Sequence, residues 1–252
     1  MKEVIPKVRI LGIPFSIMGM EETVSYCEAL IQSQETHHVI TANPEIVMLA
    51  QEKAELKEII ENAQLVTCDG TGIVWATRNT DFPAKERVTG YDLTLQLLSL
   101  SEKKGFSVYF VGSKPEVMKL AVENSKKRWP TLSIAGYHHG YFRVGDEEKI
   151  ISDIREKKPS ILFVALGAPK QEYWISKNMD ELNVPLVIGV GGSLDVLSGT
   201  IKRAPKLWQT WHLEWLYRLF QQPSRWNRMI AIPKFVVNVL INEKMSGKST
   251  KK

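Results

Sequence analysis

Between His38 and Val190, short apolar runs of β type alternate with segments of helical spacing, and this alternation constrains the fold more than any single residue does. His38–Ala42, Leu65–Cys68, Phe106–Val111, Leu132–Ala135, Ile161–Leu166 and Leu186–Val190 read as strands. The helices between and after them read as Pro44–Asn62 (one or two), Tyr91–Lys103, a helix opening at Ser113-Lys114-Pro115-Glu116 and ending near Arg128, Asp146–Lys157 and Lys170–Met179. The Ser113 segment has the pattern of a capping box with proline inside. Ahead of this series, Val8–Phe15 reads as a hairpin with Gly12 and Pro14 at its turn, and Met20–Gln34 as a helix. Strand-then-helix order of this kind predicts an α/β fold with a mostly parallel, Rossmann-like sheet and helices on both faces.

In such sheets ligands bind beyond the carboxyl ends of the strands, so the strand endings are where function is sought. The run Ile161–Leu166 stops at Gly167 and passes through Ala168-Pro169 into Lys170-Gln171-Glu172. A strand, a glycine turn and a helix start put backbone N–H groups, an amide and an ammonium where a phosphorylated ligand could sit. Lys170 is unfavourable in the first turn of a helix unless an anion is near. Leu186–Val190 ends likewise in Gly191-Gly192-Ser193-Leu194-Asp195, where Asp195 reads as a ribose partner or as a simple cap. The earlier strands end in Thr41-Ala42-Asn43-Pro44, in Cys68-Asp69-Gly70-Thr71-Gly72 and at Gly112-Ser113-Lys114. Asp69 is the strongest candidate base, since partial burial would raise its pKa, although Asp-Gly is equally a standard turn. Thr41 and Asn43 carry the same ambiguity, and Arg87 reads as a bidentate diphosphate ligand or a solvated loop arginine.

Other chemistries are not indicated. No GxxxxGK[ST] is present and no complete GxGxxG follows a strand. There is no Asp-x-Asp pair, and the adjacent His138 and His139 diverge in direction with no cluster around them, so neither a metal nor a cofactor is expected. Two cysteines, Cys27 and Cys68, are too few for a disulfide framework and fit a reducing compartment. The N-terminal MKEVIPKVRILGIPF lacks the layout of a secretory signal and no run approaches a membrane span, so a cytoplasmic protein is expected. The formal net charge of +5 permits an anionic partner.

The composition changes after Gly199. Residues 201–228 hold four of the seven tryptophans and five Lys or Arg before Asn227, and Phe235–Ile241 adds a short apolar stretch flanked by Lys234 and Lys244. Three regions are therefore expected: an α/β core over 1–198, an aromatic and basic helical appendage over 199–245 whose Trp and Leu pattern reads equally as core packing or as contact to a membrane or lipid, and a disordered tail over 246–252. The appendage reads either as a subdomain closing over the site or as a detachable unit.

Taken together, Thr41-Ala42-Asn43-Pro44-Glu45, Asp69-Gly70-Thr71-Gly72, Arg87-Val88-Thr89-Gly90, Gly167-Ala168-Pro169-Lys170-Gln171-Glu172 and Gly191-Gly192 resemble the WecG/TagA/CpsF glycosyltransferase family, in order and spacing over most of residues 8–228. Within it the chain is most similar to the transferases that build the wall teichoic acid linkage unit. The resemblance implies metal-independent, inverting transfer of N-acetylmannosamine from its UDP derivative to the 4-hydroxyl of N-acetylglucosamine on undecaprenyl diphosphate, at the inner face of the cell membrane. It implies that Asp69 is the catalytic base, that Thr41, Asn43 and Gln171 share the catalytic pocket, and that Arg87, Arg218, Arg225 and Arg228 contact diphosphate. Ser113, Gly167, Lys170, Gly191 and Asp195 are placed in the UDP pocket by their strand-end positions. An anionic membrane surface is the expected partner, nucleic acid is not, and a homo-oligomer is left open. The competing readings are a sibling transferase for another UDP-sugar, such as N-acetylmannosaminuronic acid or glucose, a nucleotide-binding module without turnover, and a peripheral membrane scaffold.

Overall fold

The computed structural model of the protein describes residues 5–33, 35–211, 213–223 and 226–249. An N-terminal hairpin of β1 (Lys7–Ile10) and β2 (Ile13–Ser16) precedes α1 (Met20–Gln32) and the main sheet. The sheet has six strands: β3 (His37–Ala42), β4 (Leu65–Cys68), β5 (Val108–Gly112), β6 (Ile134–His139), β7 (Ile161–Ala165) and β8 (Leu186–Gly189). They lie in the order β4-β3-β8-β7-β5-β6 and every neighbouring pair is parallel. The expected fold class is the one observed. β5, β7 and β8 are buried along their whole length, as strands covered on both faces must be, which is why their sequences are continuous rather than alternating apolar runs.

Helices cover both faces. α1, α5 (Gly90–Lys104), α6 (Pro115–Arg128) and α9 (Ser193–Leu197) pack on one side, around Leu97, Phe110, Phe163 and Leu194. The opposite side holds α2 (Pro44–Glu52), α3 (Ala54–Asn62) and α4 (Thr71–Thr77), with the hairpin, around Phe15, Ile40 and Ile60. It also holds α7 (Val144–Lys157) and α8 (Lys170–Leu182), around Ile154, Leu162 and Ile175.

Several local expectations are corrected. The hairpin turns at Leu11-Gly12, both at positive φ (49° and 81°), so Pro14 lies in β2 and not in the turn. The helix after β5 starts at Pro115 with Lys114 as its unbonded cap, because Ser113 takes a left-handed conformation (φ 52°). No capping box forms there. β6 runs four residues further than its apolar core suggests, taking in His138 and His139 through parallel pairing with β5. α4 had no helical spacing in the sequence; it is held by Ile73 and Ala76 in the core and by Gly72, where a Cβ would come within 2.9 Å of Pro44.

After α9 the chain forms α10 (Lys206–Thr210), α11 (Glu214–Gln221), α12 (Trp226–Met229) and α13 (Ala231–Ser249). α13 packs on α2 and α4, with Phe235 fully buried and Val239 nearly so in the same apolar cluster as Ile40 and Ile73. α13 thus ties the segment after residue 199 to the core; its helix runs to Ser249, and residues 250–252 of the tail expected from 246 lie outside the described residues. Among the described residues no helix is long and apolar enough to cross a membrane.

Truncating Phe235 removes a fully buried aromatic ring, so Phe235→Ala should lower unfolding free energy by about 3–5 kcal/mol in urea titration. A wild-type midpoint for this variant would show that α13 does not share the core.

Candidate active site

β3 and β8 are neighbours, yet the helix after β3 (α2) lies on one face of the sheet and the helix after β8 (α9) on the other. The chains part above the strand ends, and a cleft of about 1220 Å³ opens there. Thr41, Asn43, Asp69, Gly167, Gln171 and Gly191 line its floor. Arg87 lines one wall, and α11 to α13 form the roof with Arg218, Arg228 and Ile232.

Asp69 follows β4 directly. The chain then bends through Gly70 at φ 102°, a conformation only glycine takes without strain, and enters α4. The Asp69 carboxylate accepts a hydrogen bond of 3.1 Å from the Gly90 N–H at the start of α5. Burial in the cleft pushes its pKa up to about 6, against the opposing pull of the Gly90 N–H, Arg87 and Arg218, while the Glu214 carboxylate pushes the same way as burial. The result is a carboxylate that stays ionised at neutral pH but is more basic than an exposed one. That is the property of a general base.

The cations around it are unequally engaged. Arg87 forms an ion pair with Glu214 of α11. Glu214 also faces Arg203 (3.6 Å), which grips Asp92 of α5 through two bonds of 2.7 Å. Arg228 approaches Glu45 at 3.5 Å. These contacts fasten the roof to the strand-end loops. Arg218 differs: its Nε and one terminal nitrogen are buried without a partner. Its guanidinium is packed over Gly192, where a Cβ would overlap it. A buried guanidinium N–H lacking an acceptor is costly, and an anionic ligand would supply one.

Other side chains are spoken for. The Thr41 hydroxyl donates to the Gly189 carbonyl (3.2 Å) and packs against Gly90. Asn43 caps α2 through Oδ1, which accepts from the Ile46 N–H (3.1 Å), so its amide nitrogen is what remains for a ligand. Gln171 is buried; its Oε1 accepts from the Gly167 and Gly191 N–H groups (3.2 and 3.0 Å) and its Nε2 donates to Glu172 (2.8 Å). It therefore clamps the loops after β7 and β8 together.

Ser113, Lys170 and Asp195 stand outside the cleft lining. Ser113 ties β5 to the β7 and β6 ends through its backbone, and the Lys170 ammonium lies 5.9 Å from the Phe142 ring. Asp195 sits beside Gly192. Arg225 lies outside the described residues. Sequence reading missed Glu172 and Glu214. The first sat in a quoted motif, and the second lies one helical turn before Arg218, on the same face of α11. Arg203 had no local signal.

The sequence model of the family described as "Glycosyl transferase WecG/TagA/CpsF family" matches residues 8–249. A protein of Bacillus spizizenii (strain ATCC 23059 / NRRL B-14472 / W23) is 39% identical over 210 residues, 83% of this chain and 81% of its own. One of Bacillus subtilis (strain 168) is 36% identical over 93% of this chain and 91% of its own, and one of Staphylococcus aureus (strain MW2) 34% identical over 92% of each. All three carry the name N-acetylglucosaminyldiphosphoundecaprenol N-acetyl-beta-D-mannosaminyltransferase. With a match over nearly its whole length, and a strand-end cleft that gathers the motifs into one place, the chain belongs to the WecG/TagA/CpsF glycosyltransferase family.

Proposed function

We propose that the protein is an inverting N-acetylmannosaminyltransferase acting on N-acetylglucosaminyl-diphosphoundecaprenol, with UDP-N-acetylmannosamine as donor, in assembly of the wall teichoic acid linkage unit. The relatives' names supply the acceptor and the transferred sugar. The observation that carries the chemistry is one basic carboxylate, Asp69, sharing a cleft with Arg87 and with Arg218, two of whose guanidinium nitrogens are buried without a hydrogen-bond partner.

Asp69 takes the proton of the acceptor 4-hydroxyl as that oxygen attacks the anomeric carbon of the donor sugar. The new O–C1 bond forms on the face opposite the bond to phosphate, and UDP departs with the electron pair of that bond. Inversion follows from single displacement, and no enzyme nucleophile is required. Negative charge growing on the diphosphate is met by Arg218, and by Arg87 once it exchanges Glu214 for phosphate. In this reading guanidinium groups do the work that a divalent cation does elsewhere, so EDTA should leave turnover intact. Asn43 offers its amide nitrogen to a sugar oxygen, and Gln171 holds the glycine loops that shape the floor.

The lipid acceptor gives the roof a second task. Trp211, Phe220 and Trp226 are more than 60% exposed, and Val237 and Ile241 of α13 also face outward. We place this aromatic and aliphatic surface in the interface of an anionic membrane, bringing the cleft to a diphosphate that cannot leave the bilayer.

General-base loss typically costs about 10²–10⁴-fold, so Asp69→Asn should lose transfer by that order while UDP binding, read by calorimetry, persists. In the wild type kcat/KM should fall about tenfold per pH unit below a pKa near 6, the base being inactive once protonated, and the residual activity of the Asn variant should lack this limb. An unchanged pH profile in that variant would assign the base elsewhere. Replacing Arg218 by Met removes charge-assisted hydrogen bonds worth about 1.5–3 kcal/mol, so UDP affinity should drop about tenfold or more. Equal UDP affinity would mean that the diphosphate lies elsewhere. Sedimentation with vesicles of anionic lipid should weaken when Trp211 and Phe220 are both changed to Ser; undiminished binding would remove the roof from the membrane contact.

A further inference from the structure

The transfer chemistry above leaves Glu172 unused, although it lines the same cleft, close enough to Glu45 to feel its charge. The side chain is 1% exposed. Its Oε1 accepts from Gln171 Nε2 at 2.8 Å, and its Oε2 is buried with no hydrogen-bond partner. Leaving a buried carboxylate oxygen without a donor costs more than leaving a neutral group so. The backbone makes room for this arrangement. A Cβ at Gly189 would come within 2.6 Å of Gln171 Nε2 and 3.2 Å of Glu172 Oε1, so the pair fits only against a glycine of β8. Burial, reinforced by the Glu45 carboxylate and opposed by the Gln171 amide and the backbone N–H of Glu172 itself, pushes the Glu172 pKa up to about 7.

A buried polar atom that the protein itself does not satisfy, on the wall of a substrate cleft, marks where a ligand atom completes the bonding. With a pKa of about 7 the ionised Oε2 needs a donor and the protonated one an acceptor; a hydroxyl supplies either, whereas a phosphate would set a second anion against the ionised form. Hydroxyls and an acetamido N–H are the donors that hexosamines carry. We propose that Glu172 is a sugar-binding residue whose Oε2 accepts a hydrogen bond from a hydroxyl or acetamido N–H of an N-acetylhexosamine, while its Oε1 keeps Gln171 in its clamp. This rests on the transferase reading. Donor and acceptor both present such groups, and the two arms of the test below separate them.

The test uses the full chain with the isosteric Glu172→Gln, which puts N–H donors or a weaker acceptor where the carboxylate was. Calorimetry reads the affinity for UDP and for UDP-N-acetylmannosamine, and initial rates read the acceptor KM. UDP affinity should stay within about twofold, while either the UDP-sugar affinity falls or the acceptor KM rises by about tenfold, equivalent to ~1.4 kcal/mol. The first outcome assigns the contact to the donor sugar and the second to the acceptor. Unchanged values in both arms overturn the proposal. So does a loss of UDP affinity equal to that of the UDP-sugar, because Glu172 would then only support the clamp or meet the base of the nucleotide. A wild type that binds UDP but neither binds the UDP-sugar nor transfers it overturns the transferase reading and this inference with it. If Glu172→Gln does not fold, Glu172→Asp, which withdraws the carboxylate by one methylene, should show the same selective loss.

Discussion

Neighbouring parallel strands whose chains leave toward opposite faces of the sheet cannot be covered by one helix, and the site depends on this gap. β3 and β8 are joined along their length by backbone hydrogen bonds, while α2 and α9 diverge from their ends. The floor that results is made of strand-end backbone, and it is rigid because the strands below are buried on both faces. Gln171 reinforces it by joining the β7 and β8 loops, and Gly90 joins β4 to α5 through Asp69. Side chains placed on such a floor are held by the sheet rather than by flexible loops.

Charge on this floor is balanced rather than neutralised. Asp69 feels two guanidinium groups, yet burial outweighs them and keeps it basic. Glu214 has an essential part in that balance: it pairs with Arg87, and it raises rather than lowers the pKa of Asp69. In the proposed mechanism a diphosphate takes the place of Glu214 on Arg87, so that the cations serve the leaving group and the base is still left to the acceptor. The roof helices provide both Glu214 and Arg218 from one face of α11, so the polar half of the site and the exposed aromatic Phe220 belong to one segment.

How much of this was legible follows from the range of each interaction. Fully buried runs such as Ile161–Ala165 and Leu186–Gly189 announce a covered parallel sheet through composition alone, and their glycine endings announce where it opens. α4 did not show, because Thr71-Gly72-Ile73-Val74 has poor helical propensity and is made helical by contacts to Pro44 and Phe235. The Ser113 cap failed because backbone ties to Ala165 and Gly140 hold that residue in a left-handed conformation. Cleft residues from the separated motifs were recognisable as types. Their partners were not: that Asp69 meets the Gly90 N–H, that Glu214 occupies Arg87, and that Glu172 is buried with one oxygen unmatched are facts of packing between distant segments. The change of composition after Gly199 was visible in the sequence, whereas Phe235 as a core residue was not, since an isolated apolar stretch reads the same on either side of a surface.

Direct transfer to a lipid-linked sugar, without a metal, is the step on which the proposed function rests. Release of UDP by the purified full chain with UDP-N-acetylmannosamine in EDTA, with and without lipid-diphosphate-linked N-acetylglucosamine, tests it most directly. Release should require the acceptor and yield a product with inverted anomeric configuration. Acceptor-independent release, or none while a control transferase runs in the same mixture, would contradict it.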